Sequence, residues 1–277
     1  MRRHIEVPSR IAIAVGTLVL GSAGLDAHAF WIAVTPQRLS PAETAAFSVG
    51  FGEQFPLPHS LPEAREVPVR VFTPSGDAIP LRERSEITPE GFLKGRFPTG
   101  TQPGIYVVDA SLYAKAIDYA AAEFQTYLTR ERFTSALAFR KALGEENRDA
   151  REILTMFAKT FVRVGAGAAV PPRIGTRLEM VPLTDPTVIR VGSTCRLRVL
   201  YNNGGLANAA ITAINASSKI EPRTGRTNAA GEMEFVFSEP GLWLLRAVQM
   251  IPRPALAEGR TDWASYWASM TVNVSPR

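Results

Sequence analysis

The chain has 277 residues, 45% of them hydrophobic and 21% charged, a globular composition that excludes intrinsic disorder. Its formal net charge is +5, yet the basic residues after residue 27 are interleaved with acids, as in "LRERSE". A nucleic-acid groove needs a concentrated basic stripe, so no nucleic-acid partner is expected, and the length accommodates one large domain or two small ones.

Residues 1–27 read as an export signal. Arg2, Arg3 and Arg10 are basic, and "IAIAVGTLVLGSAGL" at 11–25 is apolar and rich in small residues. The run is shorter than the ~20 residues of a spanning helix. A cleaved signal is therefore expected, with no membrane span in the mature chain and a periplasmic or secreted destination. "MRRHIEV" lacks the Ser that usually precedes a twin-arginine pair. Two cleavage points are open. Cutting after Ala27 makes His28 the mature N-terminus, and cutting after Ala29 discards it.

Residues 28–114 read as a first β-sandwich. Short apolar runs are separated by turn signals, among them "TPSGD", where Gly76 can take positive φ, and the Pro-Gly entry of "TQPGIYVVDA". The texture then changes. Residues 115–164 are rich in Ala, Leu, Glu, Lys and Arg, with Phe124, Tyr127 and Leu128 at helical spacing and Arg140 and Lys141 on a basic outer face. "GEENRD" interrupts this pattern, and "AREILTMFAKTF" is expected to resume the helix with Ile153, Met156, Phe157 and Thr160 on one face. Residues 165–174, "GAGAAVPPRI", read as a linker.

Residues 175–277 read as an immunoglobulin-like β domain. "YNNGGLANA" is a hairpin connection, and Met233, Phe235 and Phe237 alternate with Glu232, Glu234 and Val236. "EPGLWLLRAVQM" repeats the Pro-Gly entry of the first unit. Trp243 is expected in the core. Cys195, the one cysteine, alternates with Arg196 and Arg198 and is expected as a buried thiol. The fold class is thus mainly β, with two antiparallel sandwich units and a helical excursion between them.

Several stretches together resemble one bacterial exported family of unknown function, related to the periplasmic nickel-binding component of nickel transport systems. They are "HAFWIAV", "VGFGEQFP", "AEFQTYLTRERF", "REILTMFAKTFVRVG", "LEMVPLTDPTVIRVGSTCRLRVLYNNGGLANA", "GRTNAAGEMEFVF", "PGLWLLRAVQM" and "DWASYWASMTV". The resemblance covers nearly the whole mature chain. It implies an exported, two-part β-rich protein that handles a transition metal, and no enzymatic activity. Two departures stand out. The pattern has a histidine where this chain has Gln249, and another near "FGEQFP", where this chain has Glu53 and Gln54.

After residue 27 the histidines are His28 and His59. A mature N-terminal His28 would chelate an ion through its α-amine and its imidazole, with His59 or Glu53 completing the set. The ion would be nickel, cobalt or copper, taken up with a membrane metal transporter as partner. Trp31, Trp263, Tyr266 and Trp267 are candidate ligand-binding aromatics, for a sugar or a partner, with core packing as the other reading. Gly-x-Ser-x-Gly, His-Glu-x-x-His and phosphate-loop motifs do not occur, so no enzyme is expected. The expected function is an exported binding protein handling a transition metal; the alternative is a non-catalytic structural or protein-interaction module of the cell envelope.

Overall fold

The computed structural model describes residues 29–59, 61, 67–81, 85–113, 116–217, 219–254 and 261–277. The expected signal and His28 lie outside them. The first part of the chain forms β1 (Ala29–Thr35), β2 (Arg38–Leu39), β3 (Thr44–Gln54), β4 (Leu57–His59) and β5 (Val69–Phe72). There follow β6 (Ala78–Pro80), β7 (Ser85–Ile87), β8 (Leu93–Pro98), β9 (Gly104–Leu112) and β10 (Ala116–Tyr119). Helices α1 (Ala121–Arg130) and α2 (Thr134–Leu143) lead into β11 (Ala150–Val164). The remainder is β12 (Leu178–Pro182), β13 (Thr194–Tyr201), β14 (Gly204–Gly205), β15 (Ala210–Asn215), β16 (Arg223–Arg226), β17 (Glu232–Val236), β18 (Gly241–Pro254) and β19 (Thr261–Val274).

These strands make three sheets. The small N-terminal sheet runs β1-β3-β8-β7 with β4 on β3, and the small C-terminal sheet runs β12-β13-β14 with β17 on β13. Between them lies one long sheet, β16-β15-β18-β19-β11-β9-β5-β6. The two sandwiches therefore share their middle layer. The join is a parallel pairing of β11 with β19, from Glu152 opposite Trp263 to Lys159 opposite Met270.

The alternation of side chains explains how one sheet serves two cores. On β9, Tyr106, Val108 and Ala110 face the N-terminal sheet, while Ile105 and Val107 join the C-terminal core. On β11, Met156, Ala158 and Val162 face the first core and Phe161 the second. The small sheets thus cover opposite faces of the long one. Both β11 and β19 are covered on each side.

This arrangement corrects the expected helix over "AREILTMFAKTF". Residues 150–164 are a strand, and the helical excursion is confined to 121–143. Met156, Ala158, Thr160, Val162 and Val164 are buried at period two, but Lys159 and Phe161 on the other face are buried as well. A strand covered on both faces loses its alternation in sequence and can be read as a buried helix. The helical excursion therefore ends before β11, the strand that pairs with β19 in the long sheet. Its end is marked by Gly144, the left-handed cap of α2 (φ 66°). Arg140 is not on an outer face: it is buried over the Phe124 ring, and its Nη2 donates to the Arg148 carbonyl at 2.6 Å.

Other local readings match the structure. Gly76 has φ 94° in the β5–β6 turn. Asn202 and Asn203 have positive φ in the two-residue β13–β14 connection. The two Pro-Gly entries open β9 and β18, with Gly104 and Gly241 in the glycine-favouring region. Trp243 and Cys195 are fully buried, and burial pushes the Cys195 thiol up to about 11.

Two polar devices fasten the layers. Ser269 and Thr271 on β19 donate their hydroxyls to the Phe30 and Ile32 carbonyls of β1. These carbonyls lie on the strand's edge layer against the long sheet, where an unpaired group would be costly. The second device is a buried ion pair between the units. Lys159 Nζ on β11 lies 2.9 Å from Glu179 Oε1 on β12, with both side chains almost inaccessible. Glu179 also accepts the backbone N–H groups of Ile174 and Gly175 at 2.9 and 3.1 Å. The end of the 165–174 linker is therefore tied to the core.

Candidate functional site

The aromatic candidates lie inside the protein. Strand alternation puts Trp263, Ser265 and Trp267 on one face of β19, as the spacing predicts, and that face lies under the helical hairpin. Trp263 contacts the Phe124 and Phe139 rings at centroid distances of 5.8 Å each, and Trp267 meets Phe133 edge-on at 6.2 Å. Tyr266 points the other way, beneath Arg177 and beside Tyr201. Trp31 is wedged between Phe55 and Gly50, where any Cβ would overlap its ring. All four side chains are at most 9% exposed. A ring packed on both faces offers no face to a sugar.

The metal candidates fall on one hairpin. Ala29, the residue after His28, pairs with Gly52, and Phe51 pairs with His59. Glu53 and His59 are exposed near this end of the N-terminal sheet. Two donor side chains do not fill a tetrahedral or octahedral shell. Among the described residues no group of three or more His, Cys, Asp or Glu could hold a metal ion. Gln249 is elsewhere. It lies five residues along β18 from Leu244, which packs with Ala29 and Trp31. That is ~16 Å at ~3.3 Å per strand residue.

Two features were not readable as sites from sequence. One is a buried carboxyl. Glu152 on β11 accepts the Tyr127 hydroxyl at 3.0 Å and also engages Tyr119 and Ser265. Tyr119 and Tyr127 are stacked at 5.4 Å. Burial holds the Glu152 carboxyl above the usual carboxylate range, against the pull of these hydroxyl donors. The protonated form is thus favoured by folding. Its stabilisation is full below the ordinary carboxylate pKa and is lost as pH rises through the raised folded value. Urea midpoints measured from about pH 4 to 8 should therefore decline less with pH in Glu152→Gln than in the parent. A parent–variant difference that stays constant with pH would contradict this.

The other feature is a cleft where the α1–α2 turn meets the C-terminal unit. Its main cavity, about 280 Å³, is lined by Arg132, Phe133, Arg226, Arg246, Val248 and Met250 among others. A smaller annex of about 70 Å³ adds Arg130 and shares Glu131, Arg132 and Arg246. Arg246 lies over the Trp267 ring at 5.1 Å and 3.6 Å from Glu131. These residues come from segments far apart in the chain, so no local motif announces them. The signal available in sequence was the "TRERF" turn between two helices.

The architecture defines a class: a double β-sandwich with a shared middle sheet and an inserted helical hairpin. Within it, the chain belongs to the family described as domain of unknown function (DUF4198), whose profile matches residues 25–251. That description names neither a metal nor a transporter. Among curated proteins no sequence matches this chain. Among solved structures, the chain is similar to the D0-D1 domain of intimin at 12% identity and TM-score 0.24, covering 89% of this chain and 100% of that one. It is similar to trypsin-activated alpha-2-macroglobulin from Escherichia coli at 9% identity and TM-score 0.28, covering 90% and 16%. It is similar to the Escherichia coli adhesin FdeC at 11% identity and TM-score 0.25, covering 90% and 66%. The chain thus spans only part of the last two. Among the described residues no helix is long and apolar enough to cross a membrane.

Proposed function

We propose that the protein is a non-catalytic interaction module of the cell envelope, exported by the signal over residues 1–27, and that its helical hairpin meets the partner. The observation that carries this reading is on α2. Phe139 and Leu143, one turn apart, are 38% and 54% exposed. Phe139 simultaneously rests edge-on against buried Trp263, so its ring is held on the core with Leu143 beside it on the same helix. Single exposed apolar residues are ordinary, but a pair fixed on an appended element fits a contact surface. A photo-crosslinking residue at Leu143 should trap one envelope protein in intact cells. The same residue at Val170, equally exposed, should trap none. Identical adducts at both positions, or none at Leu143, would reject the reading.

A second reading is favoured by the strand register. The chain enters β1 beside Gly52, next to the hairpin that carries Glu53 and His59. If processing leaves His28 at the mature N-terminus, its amine and imidazole would join these donors around nickel, cobalt or copper carried as cargo for uptake. Mass spectrometry would identify the first mature residue, and calorimetry would follow each metal. Saturable heat weakened at least about tenfold in His59→Ala is expected. A mature chain that begins at Phe30 and gives no heat would dismiss it.

A further inference from the structure

We propose that the cleft between the α1–α2 turn and β18 binds a small organic oxyanion, a carboxylate or phosphate borne on a compact apolar body. This inference is independent of the interaction role above. The charge is lopsided. Arg130 comes from the end of α1, Arg132 from the turn, Arg226 from β16 and Arg246 from β18, against the single carboxylate of Glu131. That carboxylate is already spent within the protein, 3.3 Å from Arg130 and 3.6 Å from Arg246, with its side chain 4% exposed.

The arginines differ in how they are held, and the difference suits a ligand. Arg246 lies over the Trp267 ring at the inner end, its Cζ 5.1 Å from the ring centroid. A cation–ring contact of this kind pre-orders a guanidinium and lowers the entropy lost when it binds. Arg226 donates one Nη to the Asn208 carbonyl at 2.9 Å, which aligns its fork while leaving the other N–H groups. Arg132 stands exposed at the mouth, and its side chain makes no hydrogen bond or ion pair among the described residues. Planar guanidinium forks match the two oxygens of a carboxylate or phosphate. Phe133, Val248 and Met250 give the cavity an apolar wall. A volume of about 280 Å³ lies at the small end of ligand pockets, which limits the guest to a compact molecule.

A scattered set of surface arginines would be expected to point apart and repel. Here three separated segments bring them to one concavity, and the repulsion is tolerated without a compensating acid beyond Glu131. An anionic guest supplies that compensation.

The test is calorimetry on the mature chain at low salt with four probes. Inorganic phosphate and phenyl phosphate form one arm, and succinate and benzoate the other, so that the arm giving heat identifies the oxyanion. Saturable binding is expected in one arm, weakened about tenfold or more in each of Arg132→Gln and Arg226→Gln, and weakened by added salt. Both residues are exposed, so the variants should retain the parent's melting temperature. Arg246→Lys keeps the charge but loses the planar fork, and it too should bind more weakly. Absence of heat from all four probes would overturn the proposal. So would unchanged affinity in the Arg132→Gln/Arg226→Gln double variant.

Discussion

Lys159→Met should lower the unfolding free energy by about 3–5 kcal/mol, measured by denaturant titration. The ammonium is the partner of Glu179, and both groups are enclosed between β11 and β12. Methionine has similar bulk, so little cavity forms. What remains is a buried carboxylate held by two amide N–H groups, from Ile174 and Gly175, without its ion-pair partner. For a chain of this size the loss corresponds to a fall in melting temperature on the order of 10 °C. Burial already draws the Lys159 ammonium below its ordinary pKa, with Glu179 opposing the shift, so the pair is held against a desolvation cost. The double variant Lys159→Met/Glu179→Gln should recover part of the stability. Glutamine still offers an oxygen to an amide donor but brings no charge. A single variant that costs less than about 1 kcal/mol would show that water reaches this pair. A double variant worse than the single would show that the charge itself is needed.

The second large effect is expected at Trp263. Trp263→Ala should cost about 3–5 kcal/mol, the range for removing a buried Trp or Phe. The ring lies between the long sheet and the hairpin, with Phe124 and Leu128 of α1, Ala136 of α2 and Met250 of β18 in the same cluster. Its loss removes the platform on which both helices rest. Circular dichroism should lose helical signal before strand signal, and proteases should cut first within 121–143. Trp263→Phe should cost much less. It retains most of the apolar area, and it removes an indole Nε1 that is buried without a hydrogen-bond partner among the described residues. Were the tryptophan an outward-facing ligand platform, Trp263→Ala would cost under about 0.5 kcal/mol, as surface substitutions do.

The candidate sites divide along the same physical line. Trp263 and Trp267 share a face of β19 as their spacing demands, but which side of that strand meets solvent depends on the hairpin laid over it. His59 and Glu53 were named from residue type. Their nearness to the start of β1 follows from register across three strands, which residue type does not encode. Arg140 had the spacing of a solvated helix face, yet the loop after α2 folds its carbonyls onto the guanidinium. The arginine cleft is the extreme case. Residues 130–132, 226 and 246 become neighbours only after the hairpin docks on the second unit.

Turns and half-buried strands were readable from the chain alone. Positive φ at Gly76, Asn202, Asn203, Gly104 and Gly241 follows from covalent sterics, and the alternation around Cys195 and Phe235 follows from a strand with one wet face. Those are local consequences of residue identity. The path of β11 was not readable, because its periodicity disappears when both faces are buried. Its parallel pairing with β19 joins residues distant in sequence, and the hydroxyls of Ser269 and Thr271 find the carbonyls of β1 only across that assembled layer. The shared middle sheet, and with it the cleft, was therefore decided by tertiary structure: a strand's neighbours are set by the burial of both its faces at once, and no window of sequence contains them.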